Sequence, residues 1–321
     1  MPVSMPTKVF RGLEEVVFHA NSINTIGTFD GLHRGHQTIL AEVRREAQER
    51  DAVSTVVTFS PHPQLVLRRQ DRPPVKVLTT DAEKVALLEA AGIDRVVVIP
   101  FTLEFSRTAS QDFVREVLFR RIGMSGVVLG HDHGFGKNRE GDFALMQRLG
   151  EDFGFTVREL PPFDIDGVVL SSTRVRDVLS QGDVKMAAKL LGRPYRFSAR
   201  VIQGVGRGRQ IGFPTANLLP ELPDKLIPAR GVYAVRVHRG AQTLGGMMNI
   251  GLRPTFDATV ETIEVHVFAF DDNLYGETLS IEFVDRLRDE QRFAGADDLV
   301  MQLRRDREQA LQRLAAARAT V

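Results

Sequence analysis

The sequence predicts two domains: a Rossmann-like α/β domain with a parallel sheet, then a mainly antiparallel β-barrel or sandwich that ends in a helix. At 321 residues the chain is long enough for two domains of about 150 residues each. From Asn24 to Leu191, short β-branched runs alternate with amphipathic stretches, which is typical of βαβ units. After Gly192 short alternating runs are separated by Gly, Pro, Asn and Asp turns, which favours antiparallel strands. We therefore expect domains at 1–191 and 192–321.

Periodicity gives the elements of both domains. The predicted strands of the first domain are Ile23–Ile26, Val53–Phe59, Arg95–Ile99, Gly126–Leu129 and Thr156–Leu160. Apolar residues at three- and four-residue spacing predict helices at Gly35–Glu49, Ala82–Ala91, Ser110–Arg121, Phe143–Phe153, Ser172–Ser180 and Val184–Leu191. In the second domain we expect strands at Tyr195–Val201, Gly231–His238, Thr243–Ile250, Glu261–Phe268 and Ser280–Leu287, then a helix at Asp297–Ala317.

Composition limits the function classes. Lys and Arg number 42 against 41 Asp and Glu, so the basic surface that nucleic-acid or anionic-lipid binding requires is not expected. The absence of cysteine excludes disulfides, a thiol nucleophile and Cys-ligated metals. The N-terminus lacks a secretory apolar core, and no apolar run reaches the ~20 residues of a membrane span. We expect a soluble cytoplasmic protein, a monomer or weak homo-oligomer, that acts on small molecules.

The densest candidate site is GTFDGLHRGH, Gly27–His36, between the first predicted strand and helix. A glycine at a strand end lets the backbone approach a phosphate, and a helix N-terminus presents unpaired N–H groups to anions. His33 and His36 flank Gly35 at the helix entry, where both imidazoles can donate to one phosphate. Ordinary surface histidines at a helix cap are the alternative. The phosphate-binding candidates are Gly27, Phe29, Asp30 and Gly31.

A second anion site is predicted in SSTRVR, Ser171–Arg176, which precedes a helix. Hydroxyls and arginines at a helix N-terminus form a clamp for phosphate. Its members are Ser172, Thr173, Arg174 and Arg176. Two anion sites on one α/β sheet suit a nucleoside triphosphate, with one site for the α-phosphate and the other for the pyrophosphate.

Two further segments, TFSPHP (Thr58–Pro63) and GHDHGFGKNREG (Gly130–Gly141), each follow a predicted strand. Both therefore lie at the edge of the sheet where ligands bind. Lys137 and Arg139 are available to anionic groups there, or belong to a solvated loop. The second segment is not a Walker A loop, because Asn138 stands where Ser or Thr is required. A zinc site among the histidines is disfavoured, since HxGH does not have the spacing that places two histidines on one helix face.

The second domain carries a glycine-rich segment, GVGRGRQIGFPTAN, at Gly204–Asn217. Its glycines do not satisfy GxGxxG, so on their own they indicate a flexible loop. Thr215 and Asn217 are two residues apart on an extended segment and therefore share a face. A hydroxyl and an amide carbonyl are hard oxygen ligands, suited to the magnesium that a nucleotide carries.

Over nearly its whole length the sequence resembles the bacterial bifunctional riboflavin kinase/FMN adenylyltransferase family, the FAD synthetases. HxGH at His33–His36 and LSSTRVR at Leu170–Arg176 are similar to the HxGH and ISSTxxR motifs of its nucleotidyltransferase domain. The resemblance implies that His33 and His36 stabilise charge at the ATP α-phosphorus while the clamp holds the β- and γ-phosphates. It also implies flavin contacts from His62, Pro63, Asp132 and Phe135. His133 stands where the family commonly has phenylalanine.

The second domain resembles the riboflavin kinase module, because PTAN is followed in order by GVYA, NIGLRPTF, IEVHVF, LYG and LRDEQRF. The resemblance implies that Thr215 and Asn217 bind Mg²⁺ and that Glu264 is the base for the riboflavin 5′-hydroxyl. It places ATP under the glycine-rich loop and the flavin near two side chains of the last motif. The loop residues are Gly204, Gly206, Gly208, Gly212 and Pro214, and the flavin contacts are Arg288 and Phe293.

From the residues alone, other interpretations of these side chains stay open. Without the family resemblance, a strand acid on a solvent face is the favoured interpretation of Glu264, and Phe293 is equally a core residue. Glu261, three residues before Glu264, faces the opposite side of a regular strand, so Glu264 is the chosen base.

The predicted function is bifunctional: riboflavin and ATP give FMN and ADP in the barrel, and FMN and ATP give FAD and pyrophosphate in the α/β domain, each with Mg²⁺. One alternative is a kinase with a degenerate adenylyltransferase, because His133 departs from the family pattern. Another is a flavin- or nucleotide-binding regulatory module without turnover, which the intact His33, His36, Thr215, Asn217 and Glu264 disfavour. A different HxGH nucleotidyltransferase leaves the second domain unexplained.

Overall fold

The computed structural model describes residues 6–68, 73–131, 134–137, 140–165, 167–204, 207–254 and 259–317. Contacts between residues divide the chain into two compact units, Met1–Ser172 and Thr173–Val321. The first unit contains a parallel sheet with its helices, and the second contains a closed barrel.

Six parallel strands form the sheet of the first unit, in the order β1-β4-β3-β2-β5-β6. The strands are β1 (Lys8–Arg11), β2 (Ser22–Ile26), β3 (Val53–Ser60), β4 (Arg95–Pro100), β5 (Met124–Gly130) and β6 (Thr156–Leu160). The helices are α1 (Arg34–Glu49), α2 (Pro63–Val66), α3 (Asp81–Ala90), α4 (Ser110–Asp112), which continues as a π-helical segment over Phe113–Ile122, and α5 (Phe143–Phe153). A short hairpin of β7 (Asp164–Ile165) and β8 (Val168–Val169) follows.

Burial explains why the predicted strands pair as a parallel sheet. All five residues of β2 are buried, as expected for a central strand that is covered on both faces. Helix α1 connects β2 to β3 and buries Leu40, Val43 and Ala47, at the spacing of one helical face. The strands and helices predicted here from the sequence are present, with ends shifted by at most two residues. Strand β1 was not predicted, because its four residues are too few to show a period.

Six antiparallel strands close into a barrel in the second unit, in the order β10-β13-β12-β11-β14-β9. They are β9 (Arg196–Ile202), β10 (Ala216–Pro220), β11 (Gly231–Arg239), β12 (Gln242–Pro254), β13 (Thr259–Val267) and β14 (Thr278–Arg288). Phe197, Tyr233 and Phe283 meet in its core, with ring centroids 5.2 to 5.8 Å apart. The second unit is thus a barrel and not a sandwich. It also contains β10, a strand that was not predicted and that includes the last two residues of the PTAN motif.

The long C-terminal helix, α9 (Ala296–Ala316), packs on the outer face of the barrel. Ala310 and Leu314 of this helix form one apolar cluster with Phe213, Met247 and Phe268. Because Phe213 belongs to the glycine-rich segment, this cluster fixes the end of that segment on the barrel wall. The segment also contains the short helix α8 (Arg207–Gln210).

Two helices, α6 (Ser172–Ser180) and α7 (Val184–Leu191), stand between the sheet and the barrel in the chain. Both contact the barrel unit, because Leu179 O accepts the Ala229 N–H over 3.0 Å and Lys185 Nζ lies 2.8 Å from Asp285 Oδ2. The compact units divide directly after Ser172, the first residue of α6, so that nearly all of α6 and the whole of α7 belong to the second unit. The domain boundary after Leu191 stays a prediction.

Candidate active sites in the two units

The segment between β2 and α1 forms a tight turn with several residues in the left-handed region. Phe29, Gly31 and Leu32 have φ angles of 47°, 81° and 36°. Such angles are rare for residues with a Cβ. Phe29 and Leu32 are each 2% exposed, so the burial of two large side chains holds the turn in this conformation. Gly27 N donates to Val57 O over 3.0 Å and ties the start of the turn to β3.

His33 and His36 come together at the N-terminus of α1, with their rings stacked 3.6 Å apart. His33 is the N-cap residue, and its Nδ1 accepts the His36 N–H over 3.3 Å. An accepting ring nitrogen carries no proton, so neutral His33 carries its proton on Nε2. A Cβ on Gly35 would lie 3.3 Å from the His33 ring, so a larger residue there would require this ring to shift. Two imidazoles thus share the positive end of the helix.

Asp30 anchors the turn to the segment that precedes α3. Its carboxylate accepts the N–H groups of Leu78 and Thr79, both at 2.9 Å, and the Thr79 hydroxyl at 3.1 Å. Thr79 Oγ1 in turn accepts the Gly31 N–H over 3.1 Å. Asp30 is 3% exposed. The carboxylate of Asp30, which is predicted to bind phosphate, therefore forms hydrogen bonds within the protein. These bonds shape the turn between β2 and α1 that leads to His33 and His36, here called the histidine turn.

The predicted phosphate clamp is divided between the two units. Ser172 ends the first unit, and its hydroxyl donates to Asp30 O over 2.8 Å. Thr173, Arg174 and Arg176 begin the second unit on the first turns of α6. Ser172 thus adjoins the histidine turn, while the joint action of all four residues on one phosphate group stays a prediction.

The TFSPHP segment leaves β3 at the same edge of the sheet, because β2 and β3 are parallel neighbours. The Ser60–Pro61 peptide bond is cis. His62 is the N-cap of α2, with Pro63 in the first turn, and its Nδ1 accepts the Gln64 N–H over 3.2 Å. The half-buried His62 ring therefore presents its other nitrogen as a donor when it is neutral.

Lys84 of α3 holds the start of the same segment. Its Nζ donates to Phe59 O over 3.0 Å and lies 3.6 Å from Asp81 Oδ1. Lys84 is 5% exposed, and this burial lowers its pKa below that of an ordinary lysine, although the charges of Asp81 and Asp30 oppose the shift. Asp81 also accepts a hydrogen bond from Ser60. The start of α3 thus fixes the TFSPHP segment, and Leu78 and Thr79 just before it fix the turn between β2 and α1.

The glycine- and histidine-rich loop after β5 is described only in part. Asp132 and His133 lie outside the described residues. Phe135 is 5% exposed, and its ring packs 6.2 Å from that of Phe113. A Cβ on Gly141 would collide with this ring at 2.5 Å. Phe135 therefore belongs to the core of the first unit, and its contact with flavin stays a prediction.

In the barrel, the PTAN motif lies against β13. Thr215 Oγ1 donates to Glu264 Oε2 over 3.0 Å. Asn217 is the direct ladder partner of Glu264, and Asn249 of β12 is its partner on the other side. Directly opposed residues project to the same face of a sheet. A hydroxyl, two amides and a carboxylate therefore converge on the outer face of the barrel, where all four residues are half-buried.

The glycine-rich segment lies over these side chains. A Cβ on Gly204 would be 2.0 Å from Asn217 Nδ2, and one on Gly208 would be 2.2 Å from Phe213 O. A side chain at Gly204 would therefore displace the Asn217 amide, and one at Gly208 would collide with the backbone just before the PTAN motif. Gly212 has a φ of 80°, which also favours glycine. Gly206 lies outside the described residues.

Comparisons with known proteins match both units. A family model described as FAD synthetase matches residues 16–174, and one described as riboflavin kinase matches residues 191–314. A bifunctional riboflavin kinase/FMN adenylyltransferase of Haemophilus influenzae is 37% identical over 89% of this chain and 92% of its own length. Its counterpart in Escherichia coli is 37% identical over 93% of this chain and 95% of its own. The chain belongs to this bifunctional family. The predicted family, fold class and pair of enzyme activities are thereby confirmed.

A solved structure is similar to this FAD synthetase family member over both units. It is described as a macrolide-efflux protein from Streptococcus pneumoniae, with 31% identity, a TM-score of 0.84, and coverage of 95% of this chain and 98% of that one. Within the ranges that the structure describes here, no helix is both long and apolar enough to cross a membrane.

At the end of the kinase domain of this FAD synthetase family member, Arg288 joins the last strand, β14, to helix α9. Arg288 Nε and Nη2 donate to both carboxylate oxygens of Asp306, at 2.7 to 3.1 Å, and Asp306 is 1% exposed. Gln302 Nε2 donates to the same carboxylate over 2.8 Å. The Arg288 guanidinium lies 5.7 Å from the centre of the Phe293 ring. The two predicted flavin contacts thus adjoin each other, while their contact with flavin stays a prediction.

Four residues that the structure places at these sites were not singled out as functional from the sequence: Thr79, Lys84, Asn249 and His266. A Thr80–Glu83 capping box, visible in the sequence, marks the helix start near Thr79 and Lys84. Asn249 begins the NIGLRPTF segment, but nothing in that segment alone indicates that it lies beside Glu264. Its position beside Glu264 follows from the register of the barrel.

Proposed function

We propose that the barrel unit transfers the γ-phosphoryl group of ATP to the 5′-hydroxyl of riboflavin, with Mg²⁺ held by Thr215 and Asn217. The observation that carries this proposal is the 3.0 Å hydrogen bond from Thr215 Oγ1 to Glu264 Oε2. It joins a candidate metal ligand to the candidate base. Asn217 is paired directly with Glu264 in the antiparallel ladder, so its amide lies beside the same carboxylate.

The donor set fits magnesium. Thr215 and Asn217 offer neutral oxygen atoms, which Mg²⁺ accepts alongside nucleotide phosphates and water. The Thr215 hydroxyl gives its proton to Glu264, so its oxygen lone pairs remain for a cation. When bound, the ion offsets the charge that develops on the β- and γ-phosphates.

Glu264 acts on the hydroxyl of riboflavin. The 5′-oxygen forms a bond to the γ-phosphorus, the bond from that phosphorus to the ADP oxygen breaks, and the hydroxyl proton passes to the Glu264 carboxylate. The hydrogen bond from the Thr215 hydroxyl fixes one oxygen of the carboxylate and so orients the group for the substrate. Positioning is the main requirement, because phosphoryl transfer does not need a strong base.

The α/β unit joins FMN to the adenylyl group of a second ATP. A phosphate oxygen of FMN attacks the α-phosphorus, and pyrophosphate leaves, so no covalent enzyme intermediate is required. His33 Nε2–H and the N-terminus of α1 stabilise the negative charge at the α-phosphate. Gly27 and the left-handed turn shape this pocket, the Ser172–Arg176 clamp holds the leaving pyrophosphate, and His62 and Pro63 lie towards the flavin.

The remaining predictions concern domain limits, location and assembly. Adenylyltransferase and kinase domains at 1–191 and 192–321 are supported by the family models, which leave 175–190 unmatched between them. Mg²⁺ serves both reactions. A cytoplasmic protein that is a monomer or weak homo-oligomer stays the expectation, and sedimentation of the purified chain tests the assembly state.

The decisive experiment follows the flavin products over time. The purified full chain is incubated with riboflavin, ATP and Mg²⁺, and flavins are separated by chromatography with fluorescence detection. FMN is expected first and FAD after it, and neither is expected when a chelator removes the metal. If supplied FMN yields no FAD, the adenylyltransferase assignment is wrong. If riboflavin yields no FMN, the kinase assignment is wrong.

A further inference from the structure

His266 lies two residues beyond Glu264 on β13, so both side chains project to the same outer face of the barrel. Its ring is half-buried between two phenylalanines. The edge-to-face ring distances are 5.4 Å to Phe213 and 5.7 Å to Phe268. Burial lowers the pKa of His266 below that of an ordinary histidine, and the positive charge of Arg307 on α9 adds to the shift, against a hydrogen bond to Pro214.

The His266 ring contacts the first residue of the PTAN motif. Nδ1 of His266 lies 2.7 Å from the carbonyl oxygen of Pro214. A carbonyl can only accept, so Nδ1 carries the proton of this hydrogen bond. Proline has no N–H to offer, and therefore its carbonyl is the backbone group by which the motif can be fixed at this point.

Backbone pairing does not reach the start of the motif. The ladder between β10 and β13 begins at the pair Ala216–Val265 and continues with Asn217. Pro214 and Thr215 precede that ladder. They are held by side chains of β13 instead, Pro214 by His266 and Thr215 by Glu264.

We propose that His266 is a positioning residue of the kinase site: by holding the Pro214 carbonyl, it fixes the Thr215 hydroxyl relative to Asn217 and Glu264 for the metal–nucleotide complex. The inference rests on the proposed roles of Thr215 and Asn217 as metal ligands. Residues that orient metal ligands typically alter metal affinity or activity by about 10- to 100-fold when they are replaced.

The test compares His266→Asn with His266→Gln. An asparagine amide nitrogen reaches the position of Nδ1, whereas a glutamine amide nitrogen reaches that of Nε2. Both variants carry the same amide group and differ by one methylene, which changes the position of the donor. Riboflavin phosphorylation is measured in the full chain against Mg²⁺ concentration at fixed ATP. FAD formation from supplied FMN reports the amount of chain with an active first unit in the same sample, and circular dichroism of the variant reports whether the barrel is folded.

We expect His266→Gln to raise the Mg²⁺ concentration for half-maximal kinase rate about tenfold, and His266→Asn to stay within about twofold of the natural chain. His238→Gln is the matched control, because His238 bonds to Thr243 and Glu282 on another part of the barrel, and its Mg²⁺ dependence should not change. Equal effects of His266→Asn and His266→Gln would overturn the proposal.

Thr215→Val separates this inference from the proposed metal site. If Thr215→Val shifts the Mg²⁺ dependence and His266→Gln does not, the metal site stands and the positioning role is wrong. If neither variant shifts it, the assignment of Thr215 as a metal ligand is wrong, and the inference that rests on it is overturned as well.

Discussion

Asn217 and Glu264 stand directly opposite each other in the antiparallel ladder between β10 and β13. Opposed residues project to the same face with Cβ atoms about 5 Å apart. The distance between the amide and the carboxylate is therefore set by strand register. A slip of one residue would turn one of the two side chains to the other face of the barrel. The proposed kinase site thus depends on pairing between segments that are 47 residues apart in the chain.

Gly204→Ala is expected to impair the kinase through Asn217. A Cβ on Gly204 would lie 2.0 Å from Asn217 Nδ2, so the amide must move. Displacement of a site group by about 1 Å can cost about 100-fold in rate. We expect the rate of riboflavin phosphorylation to fall 10- to 100-fold on this principle, with FAD formation from supplied FMN unchanged. Steady-state kinetics of both reactions provide the measurement.

A double variant tests whether Gly204 acts through Asn217. Asn217→Ala removes the amide, so Gly204→Ala should add little loss on that background. Losses that simply multiply would show that the glycine affects the kinase by another route.

Glu264→Gln is expected to lower the kinase rate by about 10²- to 10⁴-fold, because the neutral amide cannot take the hydroxyl proton. Adenylylation of FMN should continue at the rate of the natural chain. Glu261→Gln is the matched control on the same strand. Glu261 faces the other way, 3.9 Å from Arg230, and its replacement should leave both reactions unchanged. A full kinase rate in Glu264→Gln would exclude the carboxylate as the base.

His36→Ala is expected to lower FAD formation by about 100-fold or more, since an imidazole that stabilises charge at the α-phosphate is removed. Riboflavin phosphorylation should continue. His19→Ala is a suitable control, because His19 is exposed in the same unit and bonds to the backbone of Asn21. Loss of both activities in a folded variant would contradict a model with two independent sites.

Glu282 is expected to make the stability of the barrel unit depend on pH. Burial to 2% exposure would raise the pKa of Glu282, but hydrogen bonds and charges from Arg236 and Arg196 outweigh it and hold the pKa below that of an ordinary glutamate. A carboxylate with a lowered pKa in the folded state contributes stability above its unfolded pKa of about 4.3, and this stability is lost as the pH falls through the folded value.

Urea unfolding of the natural chain and of Glu282→Gln at several pH values provides the measurement. The natural chain should be the more stable above pH 5, and the difference should shrink as the pH falls towards 3, because both side chains are then neutral. A difference that stays constant over this range would show that Glu282 acts by packing alone.

Some predicted ligand contacts could not be separated from core contacts by sequence. Phe135 follows a strand at the ligand edge, yet its ring is buried against Phe113. Arg288 stands in a motif that is predicted to lie near the flavin, yet its guanidinium is bound to Asp306 across 18 residues. A phenylalanine or arginine has the same local pattern in both roles. The choice depends on what the fold brings against it.

The sequence by itself determined the family and most elements, and it indicated the candidate residues of both sites, because helix and strand periods, helix caps and short motifs are carried by neighbouring residues. His33 and His36 could be placed at a helix start in this way, and Thr215 and Asn217 on one face. The tertiary structure alone decided which distant groups hold them. Asp30 meets Thr79 across 49 residues, and His266 meets Pro214 across 52. Such pairs leave no periodic signal in a single sequence, because they form only when the sheet and the barrel close.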